Sequence, residues 1–260
     1  MNWLDAATKT KRSFNNKRTS IIRLFKYAKL QGYLPDDRMS EAELVLRKKK
    51  LPIRDVHALP LGTLRTLFDK AMEAGNHEAA LYYAFGSQTG MRTSELQKFQ
   101  WEHCKIKRGL IDLPKWVTKN RQARQIPMSA ALVAWIDTLG GPGKGKVFSS
   151  TKATNRSIDF ARPFMPPKPA SELPDDGETA EADWWENCMR DSYGSYRAVT
   201  TKHVGLVALE MGTSEAMIKR CYFDRQADEA DGWKWFSTGP EGWNPPKSAA
   251  GDAGEKTEIS

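Results

Sequence analysis

Four residues of this chain are of the types needed to break a phosphodiester, and each sits in its own local setting. "TGMRTSEL" puts Arg92 in a turn just before a helix, with Glu95 one helical step later, and "NCMRDSYGSYR" puts Arg190 at the start of another helix. "TKNRQARQIP" carries Lys119 in a polar loop, and "MGTSEAMIKRCYFD" delivers Tyr222. Planar guanidinium groups match the non-bridging oxygens of a phosphate, and a tyrosine hydroxyl is a nucleophile able to form a covalent phosphoester. Singly, each has a plainer reading. Arg190 reads as a surface charge, Lys119 as a solvated loop cation, and Tyr222 as one more member of the helical stripe of Met217, Ile218 and Cys221.

The elements that must hold these residues follow from periodicity. Residues 15–33 read as a helix with the stripe Ile21, Leu24, Phe25 and Ala28 and a stop at Gly32, while Lys17, Arg18, Arg23, Lys26 and Lys29 leave much of its surface basic. A charged connector through "RKKK" sets a domain boundary near residue 50. Leu64, Leu67, Phe68 and Ala71 mark a second helix ending at Gly75. Asn76 caps a third, "HEAALYYAFGSQ", which is apolar almost all round and therefore buried.

A short helix begins near Thr93, and "WEHCKI", "LIDL" and "RQIPM" read as three strands of a small antiparallel sheet. Ser129 caps a helix striped by Leu132, Trp135, Ile136 and Leu139 and closed by Gly140 and Gly141. Residues 163–183, rich in Pro and acid, read as a flexible excursion. Helical pattern resumes near Arg190 and again at Val204, Val207, Ala208 and Met211; a segment bearing Trp233 and Trp235 follows Tyr222, and a polar tail begins at about Pro245. The fold class expected is mainly α with one small antiparallel β-sheet.

Composition narrows the function classes. A chain of 260 residues, 40% hydrophobic with nine Trp, can build the core of one large domain or two smaller ones. Cys104, Cys188 and Cys221 lack paired spacing, and His57, His77, His103 and His203 are scattered singly, so neither a disulfide framework nor a metal centre is expected. No apolar run approaches a membrane span and the N-terminus lacks a secretory pattern, so a cytoplasmic soluble protein is the expectation. Residues 1–50 carry net +8, residues 51–170 net +9 and residues 171–260 net −9. A long basic portion suits a polyanion such as nucleic acid, or is simply a solvated surface.

In order and spacing the four residues resemble the tyrosine recombinases, the phage integrase family. That family's pattern is an Arg after a Thr-Gly turn, a Lys in a β-turn, His-x-x-Arg, Gly-His, and a nucleophilic Tyr nine positions after that His. Here Thr-Gly-Met-Arg gives Arg92, the "TKNRQARQIP" loop gives Lys119, "NCMR" gives Arg190, and Tyr222 stands nine positions beyond Thr213 in Gly212-Thr213. The resemblance spans roughly residues 15–236 by motif order. Two positions depart from the pattern. Asn187 replaces the first His and Thr213 the second, and neither side chain exchanges a proton near neutral pH, although each can donate a hydrogen bond to a phosphate oxygen. His203, a candidate substitute, lies at a helix start and is expected to be exposed.

The resemblance implies a site-specific DNA recombinase that cleaves and rejoins duplex DNA through a 3′-phosphotyrosyl intermediate. Tyr222 is then the nucleophile, Arg92 and Arg190 grip the phosphate, Lys119 protonates the leaving oxygen, Asn187 and Thr213 contact phosphate, and Glu95 orients Arg92. It implies neither cofactor nor metal, and DNA contacts from Lys17, Arg18, Arg23, Lys26, Arg121 and Arg124. Its partners would be double-stranded DNA, further copies of the chain in a tetramer on DNA, and accessory DNA-bending proteins, with no membrane. Residues 1–50 would hold part of a SAM-like N-terminal core-binding segment, residues 51–240 the catalytic domain, and residues 241–260 a disordered tail. Two alternatives stand beside this one: a catalytically impaired relative that binds DNA as an accessory factor or mobile-element remnant, and a generic basic helical protein in which Tyr222 is structural.

Overall fold

The computed structural model describes residues 3–8, 11–46, 48, 56–167, 184–224 and 226–246. Most of the expected flexible excursion (168–183) and most of the expected tail (247–260) lie outside the described residues. The chain separates into two units, Met1–Arg54 and Asp55–Ser260.

The smaller unit is organised by one long helix. α1 (Trp3–Ala6) precedes α2 (Lys11–Leu30), which stops where Gly32 turns left-handed, and α3 (Glu41–Leu44) follows. The stripe expected to be the buried face of α2 is not its most buried part. Phe14 and Asn15 near its start are buried, whereas Leu24 is 65% exposed and Ile21, Phe25 and Ala28 are half-buried. The reason is local: among the described residues the unit's other helices are single four-residue turns, too short to cover a twenty-residue stripe. Asn15 instead clamps the chain's return, its amide donating to the Lys48 carbonyl and its oxygen accepting from the Lys48 N–H, each at 3.0 Å.

In the larger unit, α4 (Leu61–Glu73) buries Leu64, Leu67, Phe68 and Ala71 as its i, i+3, i+4, i+7 pattern requires. α5 (His77–Thr89), N-capped by the Asn76 side chain, buries every residue from Ala79 to Thr89. It is the central helix, packed against α4 and, further along the chain, against four more helices. α6 (Thr93–Leu96) leads into the sheet of β1 (Cys104–Lys105), β2 (Leu110–Leu113) and β3 (Arg124–Pro127), antiparallel in the order β1-β2-β3. The first expected strand is reduced to two residues, because 3-10 turns at Trp101–His103 and Ile106–Arg108 flank it.

α7 (Ala130–Thr138) is capped by Ser129 as expected, and α8 (Thr151–Ala161), which periodicity does not suggest, packs on α5. Four helices complete the unit: α9 (Cys188–Thr201), α10 (Val204–Met211), α11 (Glu215–Cys221) and α12 (Glu229–Phe236). α5 and α9 pack together, and α12 lies against α9. The mainly helical class with a small antiparallel sheet is the one observed. No helix is long and apolar enough to cross a membrane among the described residues.

The junction after α5 is set by Gly90. Its φ of 60° is left-handed, and a Cβ there would lie 2.5 Å from Tyr193 Cδ1 on α9. Both the backbone conformation and the close approach exclude a side chain. Gly90→Ala is expected to destabilise the protein by about 2–4 kcal/mol, the sum of left-handed strain and overpacking, measured by denaturant unfolding. Gly62→Ala, where nothing lies within 4 Å, is the control expected to leave the midpoint nearly unchanged.

Candidate active site

Arg92 is the residue before α6, in extended conformation (φ −70°, ψ 148°), so its side chain leaves the helix axis while its main chain starts the helix. Glu95, in the first turn, reaches back to it. Its Oε2 accepts from the Arg92 N–H at 2.9 Å, and its Oε1 lies 3.1 Å from Arg92 Nη1. The same carboxylate receives Arg124 in bidentate fashion, Nη2 to Oε2 at 2.7 Å and Nη1 to Oε1 at 3.2 Å, and the Lys119 N–H at 3.4 Å. Glu95 is fully buried. Burial by itself would raise its carboxyl above the usual carboxylate range, but the hydrogen bonds and charge of Arg124, then those of Arg92, outweigh it and hold it at about 2.

Arg124 extends this network. Its Nε donates to the Glu210 carbonyl at the end of α10 (2.8 Å), and its guanidinium packs on Gly212, where a Cβ would come within 3.0 Å of Nη1. The DNA contact expected of Arg124 is therefore replaced by a structural one, since only 6% of its side chain is exposed and all three guanidinium nitrogens are engaged within the protein. Alternation along β3 explains it: Arg124 shares the inward face with Ile126, whereas Gln125 faces out. Asn120 Nδ2 approaches the Gly212 carbonyl at 3.4 Å, so the β2–β3 connection that carries Lys119 meets the turn that carries Thr213.

Arg190 lies in the first turn of α9 and is 2% exposed. Its Nη1 donates to the Gly90 carbonyl through a short hydrogen bond and its Nη2 to the Met211 carbonyl at 2.8 Å, while Nε has no partner among the described residues. The guanidinium carbon is 5.0 Å from the centroid of the Tyr222 ring. Burial lowers the Arg190 pKa from its ordinary value and the nearby Arg92 cation adds to the lowering, while Tyr222 and Glu95 act the other way. The charge of Arg92 is thus felt at Arg190, and the Tyr222 ring lies beside the Arg190 guanidinium.

Tyr222 ends α11, its N–H bonded to the Ile218 carbonyl at 3.0 Å. Ser195 Oγ on α9 donates to the Tyr222 carbonyl and accepts from the Asp224 N–H, both at 2.9 Å. Neighbouring Gly194 lets α9 approach, since a Cβ there would lie 2.9 Å from Tyr222 Cβ. Tyr222 is half-buried against a small core that includes Tyr193, Ala198, Val207, Met211 and Ile218, as a packed aromatic would be.

The two positions that depart from the family pattern differ in setting. Thr213 follows the left-handed Gly212, with its N–H on the Ala208 carbonyl (3.0 Å) and its side chain half-buried. Asn187 precedes α9 in a left-handed conformation (φ 65°), exposed, with no cap hydrogen bond from its side chain. His203 is exposed and occupied as the N-cap of α10, Nδ1 accepting from the Leu206 N–H at 2.9 Å. Lys119 and Arg121 are exposed. In the smaller unit Lys17, Arg23 and Lys26 are exposed, with Lys17 Nζ donating to the Ala7 carbonyl at 2.7 Å. Arg18 is half-buried, its Nε donating to the Val45 carbonyl at 2.5 Å, so it braces the chain after α3 instead of presenting a free cation. Among the described residues no three His, Cys, Asp or Glu side chains gather in a way that could hold a metal.

Neither a protein-family model nor a curated protein matches the sequence. Solved structures share its fold. Lambda integrase bound to DNA superposes with a TM-score of 0.61 at 15% identity over 84% of this chain and 77% of that one. A lambda integrase tetramer bound to a Holliday junction gives 0.60 at 14% identity, covering 84% and 61%. The Tn1549 transposon integrase in complex with a circular intermediate DNA gives 0.53 at 14% identity, covering 85% and 77%. The chain has the integrase catalytic-domain fold of tyrosine recombinases.

Glu95→Gln leaves Arg124 buried without a counter-charge and is expected to destabilise the protein by about 3–5 kcal/mol at neutral pH. Because the folded-state pKa of Glu95 lies below its ordinary value of 4.5, its contribution is present above that value and is lost as the pH falls toward about 2. Urea unfolding of both proteins as a function of pH is therefore expected to show their stabilities converging over that acid window. A constant gap would contradict the assignment.

Proposed function

We propose that this protein is a tyrosine-type DNA strand transferase, a site-specific recombinase that breaks and rejoins duplex DNA in the cytoplasm. The observation that carries the reading is Arg190: a 2%-exposed cation bonded to two carbonyl oxygens, without an ion pair among the described residues, beside Arg92 and the ring of Tyr222. A buried charge bonded to carbonyl oxygens and not to a carboxylate favours a bound anion, and a phosphodiester supplies one next to a nucleophile. The fold it shares with DNA-bound integrases supports the choice of substrate.

In this reading the Tyr222 Oη attacks phosphorus in line and gives its proton to water as the new P–O bond forms and the bond to the 5′-oxygen breaks, leaving a 3′-phosphotyrosyl link. Arg92 and Arg190 neutralise the non-bridging oxygens of the pentacoordinate transition state. Lys119 gives a proton to the departing 5′-oxygen, and the 5′-hydroxyl of another strand reverses the step. Thr213 and Asn187 serve as hydrogen-bond donors to phosphate, and Glu95 positions Arg92. Lys17, Arg23, Lys26 and Arg121 contact DNA backbone, which makes affinity fall steeply with salt. Copies of the chain assemble on DNA, with accessory DNA-bending proteins where the site requires them.

A second reading, a DNA-binding relative that does not cut, is favoured by Asn187 and Thr213, which offer no proton exchange near neutral pH. Nicked suicide substrates cut from the DNA flanking the gene separate the two. A covalent protein–DNA adduct in the native protein, absent in Tyr222→Phe and reduced at least ~100-fold in Arg190→Ala, is the expected result. Salt-sensitive binding without any adduct supports the second reading, and no DNA binding at all overturns both.

A further inference from the structure

Trp116 is the one exposed Phe, Tyr or Trp of the larger unit among the described residues, with 55% of its surface in contact with solvent. It lies in the β2–β3 connection, three residues before Lys119. One side is supported by His103, with ring centroids 5.4 Å apart. The indole borders an open groove of about 660 Å³ whose lining includes Ser94, Lys98, Lys115, Lys119 and Arg121 and no Asp or Glu. None of these cations stacks on the indole; the cation–π contacts among the described residues are Lys48 on Phe14, Arg190 on Tyr222 and Arg197 on Phe236.

An exposed aromatic ring among four cations combines the two features that hold single-stranded nucleic acid. The cations follow the phosphates, and the ring stacks on a base. A duplex offers its phosphates but keeps its bases stacked on one another, so a lone exposed indole gains most from an unpaired nucleotide.

We propose that this groove is a stacking subsite for one unpaired nucleotide of the DNA, with Trp116 under the base and Lys98, Lys115 and Arg121 on the flanking phosphates. The proposal rests on the strand-transfer reading and deepens it. Strand exchange requires bases beside the break to leave their partners, and the Lys119 loop is where such a base would be received. Trp116 is thus a binding residue for the separated strand, distinct from the groups that act on the phosphate.

The test is fluorescence anisotropy with a labelled oligo-dT strand and a fully paired duplex, over a range of salt concentrations. Trp116→Ala and Trp116→Leu are expected to weaken binding of the single strand by about 5- to 100-fold with the salt slope unchanged. Trp116→Phe should stay close to the native protein, and duplex affinity should change less than single-strand affinity. Lys98→Gln with Lys115→Gln should lower the slope by about 0.7 for each phosphate no longer neutralised. Single-strand affinity equal to native in Trp116→Leu, or equal losses on single strand and duplex, overturns the subsite. So does Trp116-dependent binding of poly-glutamate in preference to oligo-dT, which would make the groove a seat for an acidic protein segment. If the native protein forms a Tyr222 adduct while Trp116→Leu binds single strand normally, only this subsite fails. If the native protein binds no DNA, the strand-transfer reading fails with it.

Discussion

The larger unit depends on one buried carboxylate. Glu95 is enclosed by donors from three chain segments: the N–H and guanidinium of Arg92 at its own helix, the Lys119 N–H from the β2–β3 connection, and both terminal nitrogens of Arg124 on β3. A charge so enclosed tolerates little displacement, because each donor pulled away leaves a polar atom buried and unpaired. Arg124 passes the constraint on to the Glu210 carbonyl and the Gly212 turn. The segments bearing Arg92, Lys119 and Thr213 are therefore registered against a single point before any ligand arrives. Fixed dipoles and cations of this kind need no rearrangement when charge develops on a substrate.

The tyrosine is held differently. Among the described residues the larger unit has two clusters of buried side chains, a main one around α5 and a smaller one formed by α9, α10 and α11. Tyr222 belongs to the smaller, on a helix of seven residues whose buried anchor is Ile218. Arg190 joins the two, bonding the Gly90 carbonyl at the end of α5 and the Met211 carbonyl at the end of α10. One buried guanidinium thereby fixes the cluster that holds Tyr222 against the cluster that presents Arg92, which explains why it is burdened with desolvation that a surface arginine avoids.

Local signals in the sequence are the most readable. The caps at Asn76 and Ser129 and the stripe of Leu64, Leu67, Phe68 and Ala71 depend only on neighbouring residues, and each stands where its chemistry requires. The order Arg92, Lys119, Arg190, Tyr222 indicates the fold, although no one of those residues does. What escapes reading is decided by tertiary context. α8 buries Ala153, Thr154, Ser157 and Ala161, a face too small and polar to register as a stripe. The α2 stripe is regular, yet nothing described in its unit is long enough to cover it. Arg124, a DNA contact only by resemblance, shares with Ile126 the inward face that alternation along β3 creates. Trp116 carries no periodic signal at all, and only its exposure beside Lys98 and Lys115 draws notice to it.

Strand transfer as proposed requires Arg92 and Arg190 to be set in advance around one phosphate, with Tyr222 beside it. A crystal structure of the protein grown with orthophosphate tests this most directly. The expected result is a single anion contacting both guanidinium groups, with the Tyr222 hydroxyl about 3–3.5 Å from phosphorus or turned toward it by a side-chain rotation. Separate anions on the two arginines, or a Tyr222 hydroxyl directed to a face that neither arginine reaches, would contradict it.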